Sequence, residues 1–405
     1  MTAPEANPFP RLLVATEYAP QSPGGGLVLV RQMLRGWPVE RLEWWSCRPN
    51  YGSLPGQPVN RHFMGPNPGI LLPGRRLSRV RGWLLERLWV PRAAAHLRRT
   101  LRESGAEVLW VIPQGWSIAP LARVLPGGPV PFHVSLHDYP DQRHVVALLG
   151  AARAGRLAQG ADRLYAAAAS RDAISSPMVT DLRRRTGAEG AINRVGLEAD
   201  ELAWLEQKAP RPLQELRLVF AGTIIAEPAF EFFIRALAGI RVRLPLPVRL
   251  EFFGAHSHRQ RPWFDPVWMR ERLNAPEPEF RAALRECAWG VAPVSLADED
   301  PRYHRFSFPA KISTYLGAGL PVLALGHPAS SLLELARRQG IGLASTQTDA
   351  AGLQSELLRE LTAEDPWVRY GENIRRCVRA EFDAAAMRAR LQAALRQAAE
   401  ARTGA

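Results

Sequence analysis

Phe308-Pro-Ala-Lys-Ile-Ser-Thr-Tyr-Leu-Gly-Ala-Gly-Leu-Pro-Val-Leu-Ala-Leu325 is the most informative stretch of the 405-residue chain. Pro309 suits the first turn of a helix, Gly319 ends it, and Pro321 leads into an apolar run of strand length. A helix, a tight turn and a strand buried on both faces make one unit of a parallel sheet covered by helices. Lys311, Ser313 and Thr314 fall near the helix start, where free amides and the helix dipole favour an anion. Only two of the 52 basic residues are lysines, Lys208 and Lys311. A Lys at this place is therefore a mild sign that a compact point charge is needed. A plain capped helix accounts for the same residues without any ligand.

Outward from this unit the same alternation recurs. Strand-length runs stand at Arg11–Thr16, Glu107–Ile112, Val130–Leu136 and Arg163–Ala167, then at Glu215–Ala221, Val248–Phe253, Ala288–Ala292 and Leu320–Leu325. Helix-length segments between them include Val145–Gln159, Asp172–Thr186, Phe230–Val242, Glu279–Cys287 and Ser330–Gln339. The βαβα order predicts an α/β, doubly wound architecture. The polar segment 198–214 carries two prolines and no strand pattern, and a fresh βα series follows it. The expected domains are 1–200 and 201–382, with an Ala/Arg-rich helix over 383–405 as a candidate to cross back to the first domain.

Composition narrows the function classes. With 46% hydrophobic and 22% charged residues the chain is globular in balance, which excludes wholesale disorder and collagen-like repeats. Residues 1–200 carry net +10 and residues 201–405 net +3, so the first half suits an anionic partner. No basic-aromatic module speaks for nucleic acid. Cys47, Cys287 and Cys377 are odd in number and far apart, which argues against a disulfide scaffold or zinc module and fits a reducing cytoplasm. The first residues lack a signal-peptide pattern. The uncharged stretch 312–333 is broken by Gly and Pro and reads as helix, turn and strand.

Three further places invite chemistry. After the first strand, Gly24, Gly25 and Gly26 precede a helix, so a backbone can approach a phosphate or an acceptor there. The spacing is not that of a dinucleotide fingerprint, and a flexible loop is the alternative reading. His137 and Asp138 close the strand of VSLHDYP, at the sheet end where α/β proteins place ligands. The His can bond a sugar hydroxyl or phosphate or move a proton; Asp138 as a helix cap beside a packed His137 is the alternative. Gly222 and Thr223 form a comparable junction after RLVFA. No paired-carboxylate metal motif stands at a strand end, and Asp298-Glu299-Asp300 reads as a solvated loop.

Taken together, EYAPQSPGGG, SLHDYP, INRVGLEADEL, VFAGTI and FPAKISTYLGAGLPVLALG resemble the GT-B glycosyltransferases of the family 4-like group, over roughly residues 10–400. The resemblance implies two Rossmann-like domains facing a central cleft. A nucleoside-diphosphate sugar would be held mainly by the second domain and a glycan, lipid-linked or small-molecule acceptor by the first. No metal or other cofactor is implied. On this resemblance Gly222, Thr223, Lys311, Ser313 and Thr314 face the donor diphosphate, Gly24 to Gly26 close over it, and His137 approaches the transferred sugar. The chain departs from the pattern at Phe306 and Thr314, where the family carries a pair of glutamates, and it lacks the Arg/Lys pair after the first strand of the second domain. Arg305 is a candidate to compensate. The implied role is a cytoplasmic transferase for a surface polysaccharide, glycolipid or other glycoconjugate. A non-catalytic GT-B partner subunit and a nucleotide-sugar epimerase are the alternatives.

One more stretch, residues 75–102, holds nine Arg and one Glu. Leu77, Val80, Leu84 and Leu88 recur at helical spacing with Trp83 and Trp89 nearby. The pattern suits contact with an anionic membrane face, and it equally suits a helix packed on the core. Pro91 predicts two short helices.

Overall fold

The computed structural model describes residues 9–22, 25–48, 58–65, 78–139, 143–297, 301–362 and 365–403. The chain divides into two compact units, 1–194 with 386–405, and 195–385.

Seven strands form the sheet of the first unit: β1 (Leu12–Ala15), β2 (Leu42–Ser46), β3 (Val59–His62), β4 (Val108–Val111), β5 (Phe132–Leu136), β6 (Ser170–Ala173) and β7 (Ala191–Ile192). Their order is β3-β2-β1-β4-β5-β6-β7, and every pair is parallel. In the second unit β8 (Leu216–Ala221), β9 (Val248–Gly254), β10 (Met269–Leu273), β11 (Trp289–Pro293), β12 (Val322–Leu325) and β13 (Gly342–Ser345) follow the order β10-β9-β8-β11-β12-β13, again all parallel. Both orders reverse beside the first strand of their unit. The doubly wound arrangement places a ligand crevice at the carboxyl ends of the two strands flanking that reversal: β1 and β4 in one unit, β8 and β11 in the other.

The central strands β1, β4 and β12 are buried along their whole length, which is why they read as unbroken apolar runs. Large side chains fill the layers around them. Trp44, Trp45 and Trp110 are buried in the first unit, with the Trp110 indole donating to Ser135 Oγ at 2.8 Å. In the second unit Phe220, Phe230 and Trp263 pack edge-on or tilted at 4.8–5.2 Å.

Several expectations are corrected. Arg163–Ala167 is the end of a helix, Ala151–Ala167, because Ala154, Ala158, Ala161, Leu164 and Tyr165 bury one continuous helical face. The strand itself comes later, as β6. The helix expected over Val145–Gln159 is two, Arg143–Leu149 and Ala151–Ala167, parted at Gly150 with φ +82°. The helix expected from Asp172 starts at Ser176, since Asp172 lies in β6. Segment 198–214 contains a helix, Ala199–Gln207, opened by a reciprocal Glu198–Glu201 capping box, and it belongs to the second unit. The boundary lies between Arg194 and Val195. The last helix is Ala384–Thr403; Arg388 donates to the Gln32 carbonyl at 2.9 Å and Arg402 to that of Ala106 at 3.0 Å.

Residues Ser78–Leu84 and Val90–Glu103 are helical and joined through a π-helical turn, Leu85–Trp89. The two helices expected from Pro91 are present, with Pro91 in the first turn of the second, but they are joined through the π turn rather than by a break. A π turn widens the ring and absorbs the missing amide and bulk of a proline just beyond it. The expected stripe also shifts. Leu85, Trp89 and Leu97 are buried, whereas Val80, Trp83 and Leu88 are exposed; Leu77 lies outside the described residues.

Candidate functional site

In the first unit the crevice end of the sheet is lined from three strands. Glu17 follows β1 and is 4% exposed. Burial pushes its carboxyl up from 4.5 to about 7, against the opposing pull of Arg48 and the Trp116 amide. Arg48 Nη1 stands 3.5 Å from Glu17 Oε1 and also bonds the Tyr18 hydroxyl. After β4, Gly115 adopts φ +43°, and a Cβ there would fall 2.3 Å from Glu17 Oε2. Only a glycine lets the loop wrap the carboxylate so closely.

After β5, His137 is 3% exposed. Burial lowers its pKa to about 4, with Asp172 pulling the other way. Both ring nitrogens are buried with no hydrogen-bond partner among the described residues, so a neutral imidazole holds an unused donor and an unused acceptor there. Leaving them so costs stability unless a ligand takes them up. Gly26, in the first turn of helix Gly25–Met33, abuts this ring: its Cβ would lie 3.2 Å from His137 Nδ1 and 3.6 Å from the Gln114 amide. The structure thus brings Gly26, His137 and Gln114 together. Gly24 lies outside the described residues. Gly25 begins the helix, and Asp138 is half-buried immediately after His137.

In the second unit the helix Lys311–Gly317 is fixed by Tyr315. Its hydroxyl accepts from the Ala221 amide at 2.8 Å and donates to the Val291 carbonyl at 3.2 Å, tying the helix to β8 and β11. Its ring lies against Gly290, where a Cβ would be 2.4 Å away. Four residues earlier, on the same helix face, Lys311 reaches the end of β8. Its ammonium sits 3.7 Å from the centroid of the Phe220 ring, a cation–π contact. No carboxylate or hydrogen-bond acceptor is paired with it among the described residues, and burial lowers its pKa from 10.5 to about 7. Two residues beyond Phe220, Gly222 takes φ +93° and is exposed with Thr223, with open space where a Cβ would be. Lys311 and the Gly222–Thr223 turn therefore meet at one strand end.

The other residues expected in the second unit stand differently. Ser313 is 2% exposed and donates to the Ala310 carbonyl at 2.8 Å, so its hydroxyl serves the helix start rather than an open surface. Pro309 precedes the first helical residue instead of standing in the first turn. Thr314 is half-buried. Arg305 is exposed, with its guanidinium 5.8 Å from the Phe306 ring centroid, while Phe306 itself is buried at 3% exposure. Among the described residues no cluster of three His, Cys, Asp or Glu side chains is placed to hold a metal; Asp298, Glu299 and Asp300 lie outside them. All three cysteines are buried, and none is in a disulfide.

No protein-family model matches the chain, and no curated protein matches it by sequence. Solved structures match it along most of its length. Sucrose-phosphate synthase from Thermosynechococcus elongatus is 16% identical, with 95% of this chain and 98% of that chain covered at a TM-score of 0.66. The α,α-trehalose 6-phosphate synthase of Burkholderia multivorans is 14% identical, with 98% of each chain covered at 0.62. HepE of Anabaena, solved in complex with UDP, is 14% identical, with 94% and 98% covered at 0.60. The fold is GT-B.

Within GT-B, the residues that sequence reading passed over are Glu17, Gln114, Gly115 and Tyr315. Glu17 had a signal: it is the first acid after a wholly apolar strand, at that strand's carboxyl end. Gln114 and Gly115 had none, because their place depends on pairing β1 with β4 across more than ninety residues.

Proposed function

We propose that the chain is a glycosyltransferase that moves a sugar from a nucleoside-diphosphate sugar to a carbohydrate or lipid-linked acceptor. Lys311 carries this reading. A desolvated ammonium with no resident counter-ion, beside a glycine turn at a strand end, is suited to the negative charge that grows on a departing diphosphate. In the transfer, the bond between the anomeric carbon and the diphosphate oxygen breaks and a bond to an acceptor oxygen forms. Lys311 and the Gly222–Thr223 amides would receive the leaving charge. His137 and Gly26 would address the sugar and acceptor, and Glu17, with its carboxyl raised to about 7, would offer an acceptor hydroxyl a hydrogen-bond partner. The UDP bound to HepE supports a nucleotide of this kind as the donor half.

No helix among the described residues is long and apolar enough to cross a membrane. Peripheral contact with an anionic membrane face is supported by Val80, Trp83 and Leu88, exposed on the same helical run as Arg87 and Arg92. A role in building surface polysaccharide or glycolipid in a bacterial cytoplasm fits these features.

A non-catalytic GT-B subunit is favoured by one observation: Phe306 and Thr314 leave the donor side without the usual pair of acids. Thermal melting with UDP-, GDP- and dTDP-sugars separates the readings. Stabilisation by one of them, followed by slow release of free nucleoside diphosphate, supports a transferase; no stabilisation by any of them refutes it.

A further inference from the structure

A cavity of about 470 Å³ lies within the first unit, inside the size range of small-molecule sites. The helical run 78–103, the helix Ile118–Val124 and the two helices of 143–167 enclose it. Leu85, Trp89, Ile118, Leu149 and Leu157 give it an apolar interior. Its charged lining is one-sided: Arg123, Arg153, Arg156 and Arg163 against a single acid, Glu86. Glu86 is taken up by Arg153 at 3.5 Å and by Arg156. Arg123 and Arg163 are exposed and have no ion-pair partner among the described residues.

Two features set this cavity apart from a packing gap. The π-helical turn Leu85–Trp89 supplies part of its wall, and such turns are rare and concentrate at functional sites. Gly115 and Trp116 also line it, and these are the residues that wrap the Glu17 carboxylate at the carboxyl end of β1. The cavity thus shares Gly115 and Trp116 with the surroundings of the Glu17 carboxylate.

We propose that this cavity binds an anionic amphiphile, with its aliphatic chain against Leu85, Trp89, Ile118 and Leu157 and its phosphate or carboxylate held by Arg123 and Arg163. Its role as the acceptor rests on the transferase reading; its binding does not. An apolar chain matches the apolar interior, and an anion matches a rim with two spare guanidinium groups. The occupant is one dispersed molecule taken into the unit, not a membrane surface.

The test is calorimetric titration of the full chain with octyl, decyl and dodecyl phosphate below micelle formation, with dodecyl maltoside and inorganic phosphate as comparisons. Burial of each CH₂, about 0.8 kcal/mol, tightens binding about fourfold, so dodecyl phosphate should bind about 200-fold more tightly than octyl phosphate. Ala119→Phe, which fills the cavity, should weaken dodecyl phosphate binding by more than about tenfold and leave nucleotide-sugar stabilisation unchanged. Arg123→Gln with Arg163→Gln, both exposed and tolerant of change, should reduce dodecyl phosphate to the level of the neutral maltoside. Binding indifferent to chain length, equal binding of inorganic phosphate, or unchanged binding in both variants overturns the proposal. So does co-sedimentation with anionic vesicles by a protein that ignores the dispersed amphiphiles. If alkyl phosphates bind and no nucleotide sugar does, the cavity assignment stands and the transferase reading falls.

Discussion

Replacing Glu17 by Gln should make the protein more stable near neutral pH and less active. Burial raises the carboxyl from 4.5 to about 7, a difference worth about 3 kcal/mol at 1.36 kcal/mol per unit. Below pH 4.5 the group is protonated in the folded and unfolded chains alike and contributes no pH dependence. Between 4.5 and 7 the unfolded chain releases the proton while the folded chain keeps it, so stability falls as pH rises. Above 7 both states are ionised and the full penalty remains. Gln removes that penalty and its amide oxygen still accepts from the Trp116 amide. The attraction to Arg48 already counts inside that net shift, so the gain is about 3 kcal/mol at pH 8 and about zero at pH 4.5. Urea unfolding of both proteins at the two pH values measures it: the stability of the variant relative to wild type should grow by about 3 kcal/mol from pH 4.5 to pH 8, whatever slope His137 and the other titrating groups give to both. Turnover should fall in the same variant, and the limb of the pH–rate profile near 7 should vanish. A Gln variant less stable than wild type at pH 8, or a stability difference that does not change with pH, refutes the account of a desolvated, ligand-facing carboxylate.

Three other outcomes follow from the site. Lys311→Met keeps the stem over Phe220 but removes the cation, and should lower transfer by roughly 10²- to 10³-fold while melting at or above the wild-type temperature; native turnover removes the central residue of the reading. Because burial holds Lys311 near 7, binding of a nucleoside diphosphate at pH 8 should take up to about one proton per site, read as a buffer-dependent heat that Lys311→Met abolishes. Gly26→Ala presses a methyl toward His137 Nδ1 at 3.2 Å and should slow transfer by roughly an order of magnitude with little change in melting. Transfer should persist in excess EDTA; loss restored by Mn²⁺ or Mg²⁺ would redirect attention to Asp298, Glu299 and Asp300.

What the sequence made legible was the most apolar part of the interior; the inner strands β2, interrupted by Glu43, and β6, carrying Arg171 and Asp172, were passed over. Strands such as β1, β4, β8 and β12 are buried on both faces, so hydrophobicity alone marks them, and their alternation with helices is enough for a doubly wound fold. Edge strands escaped for the complementary reason. Met269–Leu273 exposes four of its five residues in part or whole, and Gly342–Ser345 is half-covered along most of its length, so neither carries an apolar run. Arg163–Ala167 misled because five residues sample little more than one helical turn, and only the longer register of Ala154, Ala158 and Ala161 shows the period. On the candidate site, His137 at a strand end and Lys311 at a helix start could be singled out from the sequence because each carries a distinctive side chain at such a terminus. Ser313 was over-read, because a hydroxyl at a helix start bonds its own backbone as readily as a ligand. The wrapping of Glu17 by Gly115 was not legible, since it joins two loops that only the sheet brings together.

The scarcity of lysine deepens the same point. Arginine cannot lose its proton in a protein and carries a broad planar fork, so it suits exposed ion pairs, where this chain uses it freely. Both lysines stand where that fork would not serve. Lys208 is desolvated to a pKa of about 8, sits 4.7 Å from the Trp367 ring centroid, and donates to the carbonyls of Ala318 and Gly319 at 3.0 and 2.8 Å. Those two carbonyls close the helix that Lys311 opens. One lysine thus anchors the far end of a seven-residue helix while the other presents its charge from the near end. With two lysines among 52 basic residues, both standing at opposite ends of one short element, the pattern is the one expected if that element must hold a compact, proton-exchangeable cation in a fixed place.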